Sequence, residues 1–441
     1  MQHTDIIIKN GYIVTINPEM DIIKNGALAI DEGKILAIGT IEEIEKNYTS
    51  DKVIDASSKI VMPGLINGHS HIAMTYLRGY ADDLLLHSWL EDYIWPAEAR
   101  FVKAQFVYDA AYHACAELIK NGITMINDMY FYSKETAQAA TKTGMRAILG
   151  EGILDFPMAF HKTPDSMINY AVEGHKEFKD NELIDFSIMP HSIYTCSRKT
   201  LITAAETARA HNMLIHTHLS ETQKEVDDCL KNHGMRPVNY LNSIGFLGND
   251  VSLAHGVWID NNEQKLLAEK DVGVNICTEC NLKLSSGFAP IKGYKENGVT
   301  ISLATDGVAS NNNLSILDEM DMTSKVHKAI NNDPTFLPAE DVVRMVTIDA
   351  AKIFNKEDEV GSLEVGKKAD IILLERNKLE NMPMYNVYSH LVYTMHSESV
   401  QDVIVNGKVL MQGRKLVEID ENELFDKAQY YQRELQKTKT N

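Results

Sequence analysis

The chain has 441 residues, with 43 lysines and arginines against 62 aspartates and glutamates, a formal charge of −19. So acidic a balance argues against a nucleic-acid backbone as partner and favours solubility without specifying a fold. The length suits a barrel with a smaller second domain, and five scattered cysteines do not make a disulfide framework. The amino-terminal MQHTDIIIKNG lacks the basic and apolar regions of a signal peptide, and no run approaches ~18 apolar residues. A cytoplasmic location is expected.

Residues 1–59 read as short strands and turns: DIIIKNGYIVTI, GALAIDEGKILAIG and KVIDASSKI. Hairpin turns are expected at Asn10-Gly11 and Glu32-Gly33. Near the other end, ADIILLE and VQDVIVNGKVLMQG answer in kind, turning at Asn406-Gly407. The expectation is a small β-sandwich formed from residues 1–59 and 365–441, with a terminal helix.

Between these ends, apolar strand-like runs recur at 60–71, 122–129, 146–153, 185–195, 213–219, 251–259, 272–277 and 299–306. Helical patterns such as LITAAETARAHN separate most of them. Strands alternating with helices in this way predict an α/β fold, a (β/α)8 TIM-type barrel over 60–364. The stretch 72–110 is long for one connection, and Trp89 and Trp95 mark it as a lid or pocket wall.

Chemistry-bearing residues collect at the ends of these runs, where such barrels place active sites. His69 and His71, two apart on an extended strand, project from one face as a pair of metal-ligating imidazoles would. Glu151 falls in the third run, His191 in the fourth, His218 in the fifth with Glu221 just beyond, His255 in the sixth and Asp306 in the eighth. Imidazoles with one carboxylate suit zinc or iron better than magnesium or calcium, which prefer all-oxygen shells. In such a site Asp306 can ligate and take a proton from water, Glu221 can shuttle a proton over the substrate, and His255 can hold the attacking water. His216 shares a face with His218, so periodicity does not choose between them. Nearness to the strand's end favours His218 and leaves His216 as a packed core histidine. The other ten histidines, His87 among them, read as surface or structural.

Longer motifs carry a family resemblance: PGLINGHSH (63–71), MTYLRGYADDL (74–84), WPAEARF (95–101), MPHSIYTCS (189–197), HTHLSET (216–222), NLKLSSGFAP (281–290), TDGVASNNNLSILDEM (305–320) and GSLEVGKKADIILL (361–374). Along essentially its whole length the chain resembles the amidohydrolase superfamily. Within it, the resemblance is to the 5′-methylthioadenosine/S-adenosylhomocysteine deaminases and their chlorohydrolase relatives. The resemblance implies one divalent metal, zinc or iron, on His69, His71, His218 and Asp306, with Glu221 and His255 catalytic. It also implies that Glu98 binds the ribose hydroxyls and His191 a purine ring nitrogen. No lysine stands at the end of the fourth run, so a second metal bridged by a carbamylated lysine is not expected.

Two departures from the family pattern stand out. Members that bind S-adenosylhomocysteine carry an arginine at the end of the third strand, which meets the amino acid's carboxylate. Here that place falls to Glu151, whose charge would repel the same carboxylate if it faced the substrate, unless Arg78 or Arg100 reached in. Cys277-Thr278-Glu279-Cys280 stands where relatives commonly carry proline and serine, placing an extra thiol and carboxylate near the pocket rim.

The implied function is hydrolytic deamination at C6 of adenosine-type nucleosides (5′-methylthioadenosine, adenosine, S-adenosylhomocysteine), giving the inosine analogue and ammonia. One rival is an aminohydrolase or chlorohydrolase of another N-heterocycle, such as a guanine, pterin or s-triazine, which leaves Glu98 unexplained. Another is a non-catalytic scaffold, which has no need of four ligand candidates and Glu221. The expected partners are a small-molecule nucleoside and further copies of the chain in a homo-oligomer, with no nucleic acid and no membrane.

Overall fold

The computed structural model describes residues 1–85, 88–158 and 160–439, so His87 lies outside the described residues. Two parallel sheets carry the centre of the chain. The first pairs Leu65–Ser70, Ile123–Tyr130 and Arg146–Ile153 in order, then Ile184–Phe186 together with Met189–Pro190. The second pairs Ile215–Leu219, Val251–His255, Gly273–Ile276 and Ile301–Leu303. Single parallel bridges join the two sheets at both edges, Ser70 to Asp306 and Ile188 to Ile215. The arrangement is of the TIM-barrel type, with helices as the crossovers that parallel pairing requires.

Strands covered on both faces read as continuous apolar runs. Accordingly Ile123–Tyr130 and Arg146–Ile153 are buried at every residue. Successive side chains still part company. Ile148 clusters with Ile66, Met125, Met129 and Met189 from neighbouring strands. Ala147 and Leu149 join a cluster that includes the helix residues Ala137, Ala140 and Ala171. This alternation decides which side chains at a strand's end can reach a shared site.

The apolar run 60–71 is divided between two sheets. Lys59–Pro63 pairs with Ile371–Glu375 and Ile6–Val14, whereas Leu65–Ser70 pairs with Ile123–Tyr130. Gly64 makes the crossing, and a Cβ there would lie 2.0 Å from Thr124 Oγ1. Residues 60–63 therefore belong with the terminal strands, and the parallel sheets begin at Leu65.

Strands from both chain ends pair into one nine-stranded sheet, running from Lys415–Leu416 through Ile371–Glu375 and Lys59–Pro63 to Lys34–Thr40. Glu32-Gly33 and Asn406-Gly407 turn hairpins with positive φ at both residues, 48° and 76°, then 48° and 74°. Asn10-Gly11 does not turn. It lies inside Ile6–Val14, where the register slips between Ile8 and Gly11 and Asn10 takes φ 64°, a bulge rather than a hairpin. A helix, Glu421–Lys439, follows the last strand. No described helix is long and apolar enough to cross a membrane.

Arg146, at the start of the third parallel strand, ties the sheets together. Its Nε and Nη2 donate to Asp370 Oδ2 and Oδ1 at 2.7 and 3.0 Å, and Nη1 donates to the Glu182 carbonyl at 3.0 Å. Asp370 Oδ1 also accepts the Asn406 amide at 2.7 Å. Removing one partner of a buried ion pair leaves the other charge uncompensated. Asp370→Ala should therefore cost about 3–5 kcal/mol in a chemical denaturation series. A loss below about 1 kcal/mol would show the pair behaving as a surface contact.

Candidate active site

Four side chains at strand ends converge on one point. A ligating atom from each of His69, His71, His218 and Asp306 lies within 4.8 Å of the other three. His69 Nε2 and His71 Nε2 each stand 3.2 Å from Asp306 Oδ1, and His218 Nε2 stands 3.3 Å from His71 Nε2. Ligands about 2.1 Å from a common ion lie roughly 3.0–3.4 Å from one another, so these separations match a coordination shell. His69 Nε2 is buried without a hydrogen-bond partner, an orphan that a cation would satisfy. The residues fit a divalent metal.

The second nitrogen of each ring is spoken for. His71 Nδ1 donates to the Met129 carbonyl, and His218 Nδ1 to the His191 carbonyl at 2.7 Å. His69 Nδ1 meets His216 Nε2 at 2.8 Å, and His216 Nδ1 meets Ser252 Oγ at 2.7 Å. These contacts set the tautomers that leave every ligating Nε2 with a lone pair. His216 is buried, and its ring also supports a ligand candidate.

Further titratable groups surround this cluster. Glu221 follows strand Ile215–Leu219, and the amides of Ser220 and Glu221 both donate to the Glu225 carboxylate at 2.9 Å, fixing the loop. Glu221 Oε2 is 3.8 Å from His255 Nε2, and Oε1 accepts from Ser286 Oγ at 3.4 Å. Burial pushes the Glu221 carboxyl above its ordinary range. His255 Nδ1 donates to Asn281 Oδ1 at 3.0 Å, which leaves its Nε2 facing the site. Asp306 Oδ2 accepts from Ser310 Oγ at 2.7 Å and from Cys280 Sγ at 2.9 Å. Burial pushes Asp306 up, but the His69 and His71 rings, each 3.2 Å away, outweigh it and hold the carboxyl well below the usual range.

A cavity opens over the cluster. His71, His191, His218, Glu221, His255 and Asp306 line its floor, facing Trp89, Trp95, Glu98, Phe131, Leu154 and Tyr194. The stretch 72–110 thus supplies a pocket wall, and Glu98 comes from its helix Trp95–Phe101. Glu98 is buried, accepts the Tyr130 hydroxyl at 2.6 Å, and is pushed up by burial to about 7. His191 Nδ1 lies 3.1 Å from Thr195 Oγ1, and burial pushes its ring down to about 3, so it is neutral.

A model of the amidohydrolase family matches residues 60–410. The chain belongs to the amidohydrolase family. A 5-methylthioadenosine/S-adenosylhomocysteine deaminase of Thermodesulfovibrio yellowstonii is 46% identical over 96% of this chain and 97% of its own length. A 5′-deoxyadenosine deaminase of Methanosarcina barkeri is 41% identical over 98% of each chain. Among solved structures, an adenosine deaminase from Xanthomonas campestris with bound zinc superposes with a TM-score of 0.97. It is 33% identical and the match covers 99% of both chains.

Within this amidohydrolase site two expectations need correction. Glu151 does not face the cavity. It lies on the helix-facing side of its strand, where its carboxylate accepts the amides of Tyr132 and Ser133 at 3.1 and 3.0 Å and the Ser133 hydroxyl at 2.8 Å. That satisfies the start of helix Ser133–Thr143, while the neighbouring Gly152 lines the cavity instead. Cys277 and Cys280 are fully buried beneath the pocket, not at its rim, and Glu279 accepts from Asn313 Nδ2 at 2.8 Å. Tyr130, Glu225, Ser286 and Ser310 were not singled out in the sequence. Tyr130 carries a signal in the sequence, an aromatic one residue past Met129 at the end of the second apolar run.

Elemental analysis should find about one divalent ion per amidohydrolase chain. Asp306→Asn should lose the ion and the activity together. Glu221→Gln should keep the ion but lose about 10²-fold or more in turnover, the scale of general acid–base catalysis. Two tightly bound ions, or loss of the ion in Glu221→Gln, would contradict these roles.

Proposed function

We propose that the chain is a metal-dependent hydrolytic deaminase of adenosine-type nucleosides, releasing ammonia and the inosine analogue. The observation that carries this reading is one cavity lined both by the His69–His71–His218–Asp306 cluster with Glu221 and by the buried carboxylate of Glu98. A base over the cluster leaves a ribose within reach of Glu98, whose two oxygens suit the 2′ and 3′ hydroxyls. Guanine, pterin and s-triazine substrates have no ribose diol for Glu98 to hold. In this reading the two parallel sheets close as a (β/α)8 barrel from Leu65 to about residue 364, and the terminal strands fold as a small β-sandwich. The enzyme holds one zinc or iron, takes a small-molecule nucleoside and works as a cytoplasmic homo-oligomer. Five free cysteines support a reducing compartment.

A divalent cation on the four ligand candidates supplies Lewis acidity that makes hydroxide available from water near pH 7. Glu221, its carboxyl pushed up by burial, donates a proton to the ring nitrogen beside the carbon under attack. His255 Nε2 holds the attacking water in line, and ionised Asp306 accepts the proton that this water gives up. Asp306, with Glu221, relays that proton to the amine, which leaves as ammonia, and the proton left on the added oxygen returns to Glu221 as the C6 carbonyl forms. His191, neutral and fixed by Thr195, holds a purine nitrogen. A screen for ammonia release by zinc-loaded protein, over nucleosides, guanine, pterins and aminated triazines, tests the reading. Turnover confined to adenosine-type nucleosides is expected, and turnover confined to the heterocycles would overturn it.

Glu98 makes a pH-dependent prediction. Its carboxyl titrates near 7, so raising the pH from 6 to 8 converts it to the stronger acceptor. The ratio of kcat/KM for adenosine to that for 2′-deoxyadenosine should therefore rise over this range. Titrations at C6 are common to both substrates and cancel in the ratio. In Glu98→Ala the ratio should fall and its pH dependence vanish.

A further inference from the structure

Asp306 presents its two oxygens to different neighbours. Oδ1 faces the ligand cluster, 3.2 Å from both His69 Nε2 and His71 Nε2. Oδ2 instead accepts from Ser310 Oγ at 2.7 Å and from Cys280 Sγ at 2.9 Å. These two donors are not equivalent. A hydroxyl carries one hydrogen, and Ser310 Oγ also stands 2.9 Å from the Gly307 carbonyl, so its proton is shared between two acceptors. Cys280 Sγ has no second acceptor among the described residues.

Cys280 is placed by the short helix Thr278–Lys283. The first amides of that helix, of Thr278 and Glu279, donate to the two carboxylate oxygens of buried Glu319 at 3.1 Å each, and Thr278 Oγ1 meets Thr323 Oγ1 at 2.6 Å. Both partners belong to helix Ile316–Ile330, so the short helix is fixed at its start. Its next residues serve the site: Cys280 reaches Asp306, and Asn281 Oδ1 accepts from His255 Nδ1 at 3.0 Å. Cys280 is fully buried, packs with Cys277 and Ala304, and does not line the cavity. An S–H is a weak donor. Even so, a buried carboxylate oxygen without a partner is costly, and a ligating carboxylate takes its orientation from the hydrogen bonds it accepts.

We propose that Cys280 is a positioning residue for Asp306: its thiol is the donor committed to Oδ2 and keeps Oδ1 turned to the ligand cluster. The inference rests on the reading of that cluster as a metal site.

Zinc dissociation constants, measured by competition with a chromophoric chelator, separate this role from packing. Cys280→Ala should bind zinc about tenfold or more weakly, the scale for removing a partner of a metal ligand. On adenosine or 5′-methylthioadenosine, whichever turns over faster, its kcat should fall by about tenfold while KM stays within about twofold. Cys280→Ser, which restores a donor, should return zinc affinity and kcat to within about threefold of the unmodified protein. Cys280→Ala holding zinc as tightly as the unmodified protein, or Cys280→Ser binding it as weakly as Cys280→Ala, would overturn the role. Should Cys280→Ala not fold, infrared spectra keep the test. The S–H stretching band lost in Cys280→Ser should lie below the frequency of a free thiol, and a free-thiol frequency would overturn the role. Zinc affinities in the expected order, without ammonia from any adenosine-type nucleoside, would overturn the deaminase reading alone. Unmodified protein that holds no zinc would overturn both.

Discussion

The site depends on where each ligating imidazole sends its second proton. A histidine ring that ligates through Nε2 must place Nδ1–H on an acceptor, and that acceptor aims the ring. For His71 and His218 the acceptors are backbone carbonyls, of Met129 and His191, supplied by neighbouring elements of the parallel sheets. The pairing that builds the sheets therefore also orients these ligands. His69 reaches further, to His216 on strand Ile215–Leu219 and through it to Ser252 on the next strand. Strands from both parallel sheets must be in place before the first histidine is held.

Burial acts on every carboxyl in the cavity, and partners decide the outcome. Asp306 has two imidazoles, a hydroxyl and a thiol around it, and stays ionised. Glu221 has a hydroxyl at 3.4 Å and an imidazole at 3.8 Å, too little to offset desolvation. Carboxyls pushed in opposite directions are what the proposed division into acid and base calls for. The backbone contributes as well. Ser220, His255 and Asp306 all take positive φ, 52°, 71° and 59°, at a cost of order 1–3 kcal/mol for each such residue. Cross-strand hydrogen bonds hold these bends: Asp306 N to the His69 carbonyl and Gly256 N to the Leu219 carbonyl, each at 3.1 Å.

Much of this was legible in the sequence because metal ligands at strand ends leave short, local marks. His69-Ser70-His71 and His216-Thr217-His218 sit at the ends of apolar runs, and the hairpins at Glu32-Gly33 and Asn406-Gly407 follow from residues that tolerate positive φ. Contacts between distant segments left no comparable mark. His216 under His69, Cys280 and Ser310 behind Asp306, and Tyr130 against Glu98 each join residues far apart in the chain or on opposite sides of a loop.

Glu151 is a different kind of miss, since its orientation was written in the chain. Position along a strand says how near a residue lies to the open end, and parity says which face it takes. Counting from Ile148, which clusters with residues of the neighbouring strands, Gly150 and Gly152 share its side and Glu151 does not. A carboxylate on the helix-facing side has an immediate use there, because the first amides of the following helix lack partners. With Glu151 committed to that cap, the cavity wall at this strand is glycine, and the charge that proximity alone would assign to the substrate is spent on holding a helix.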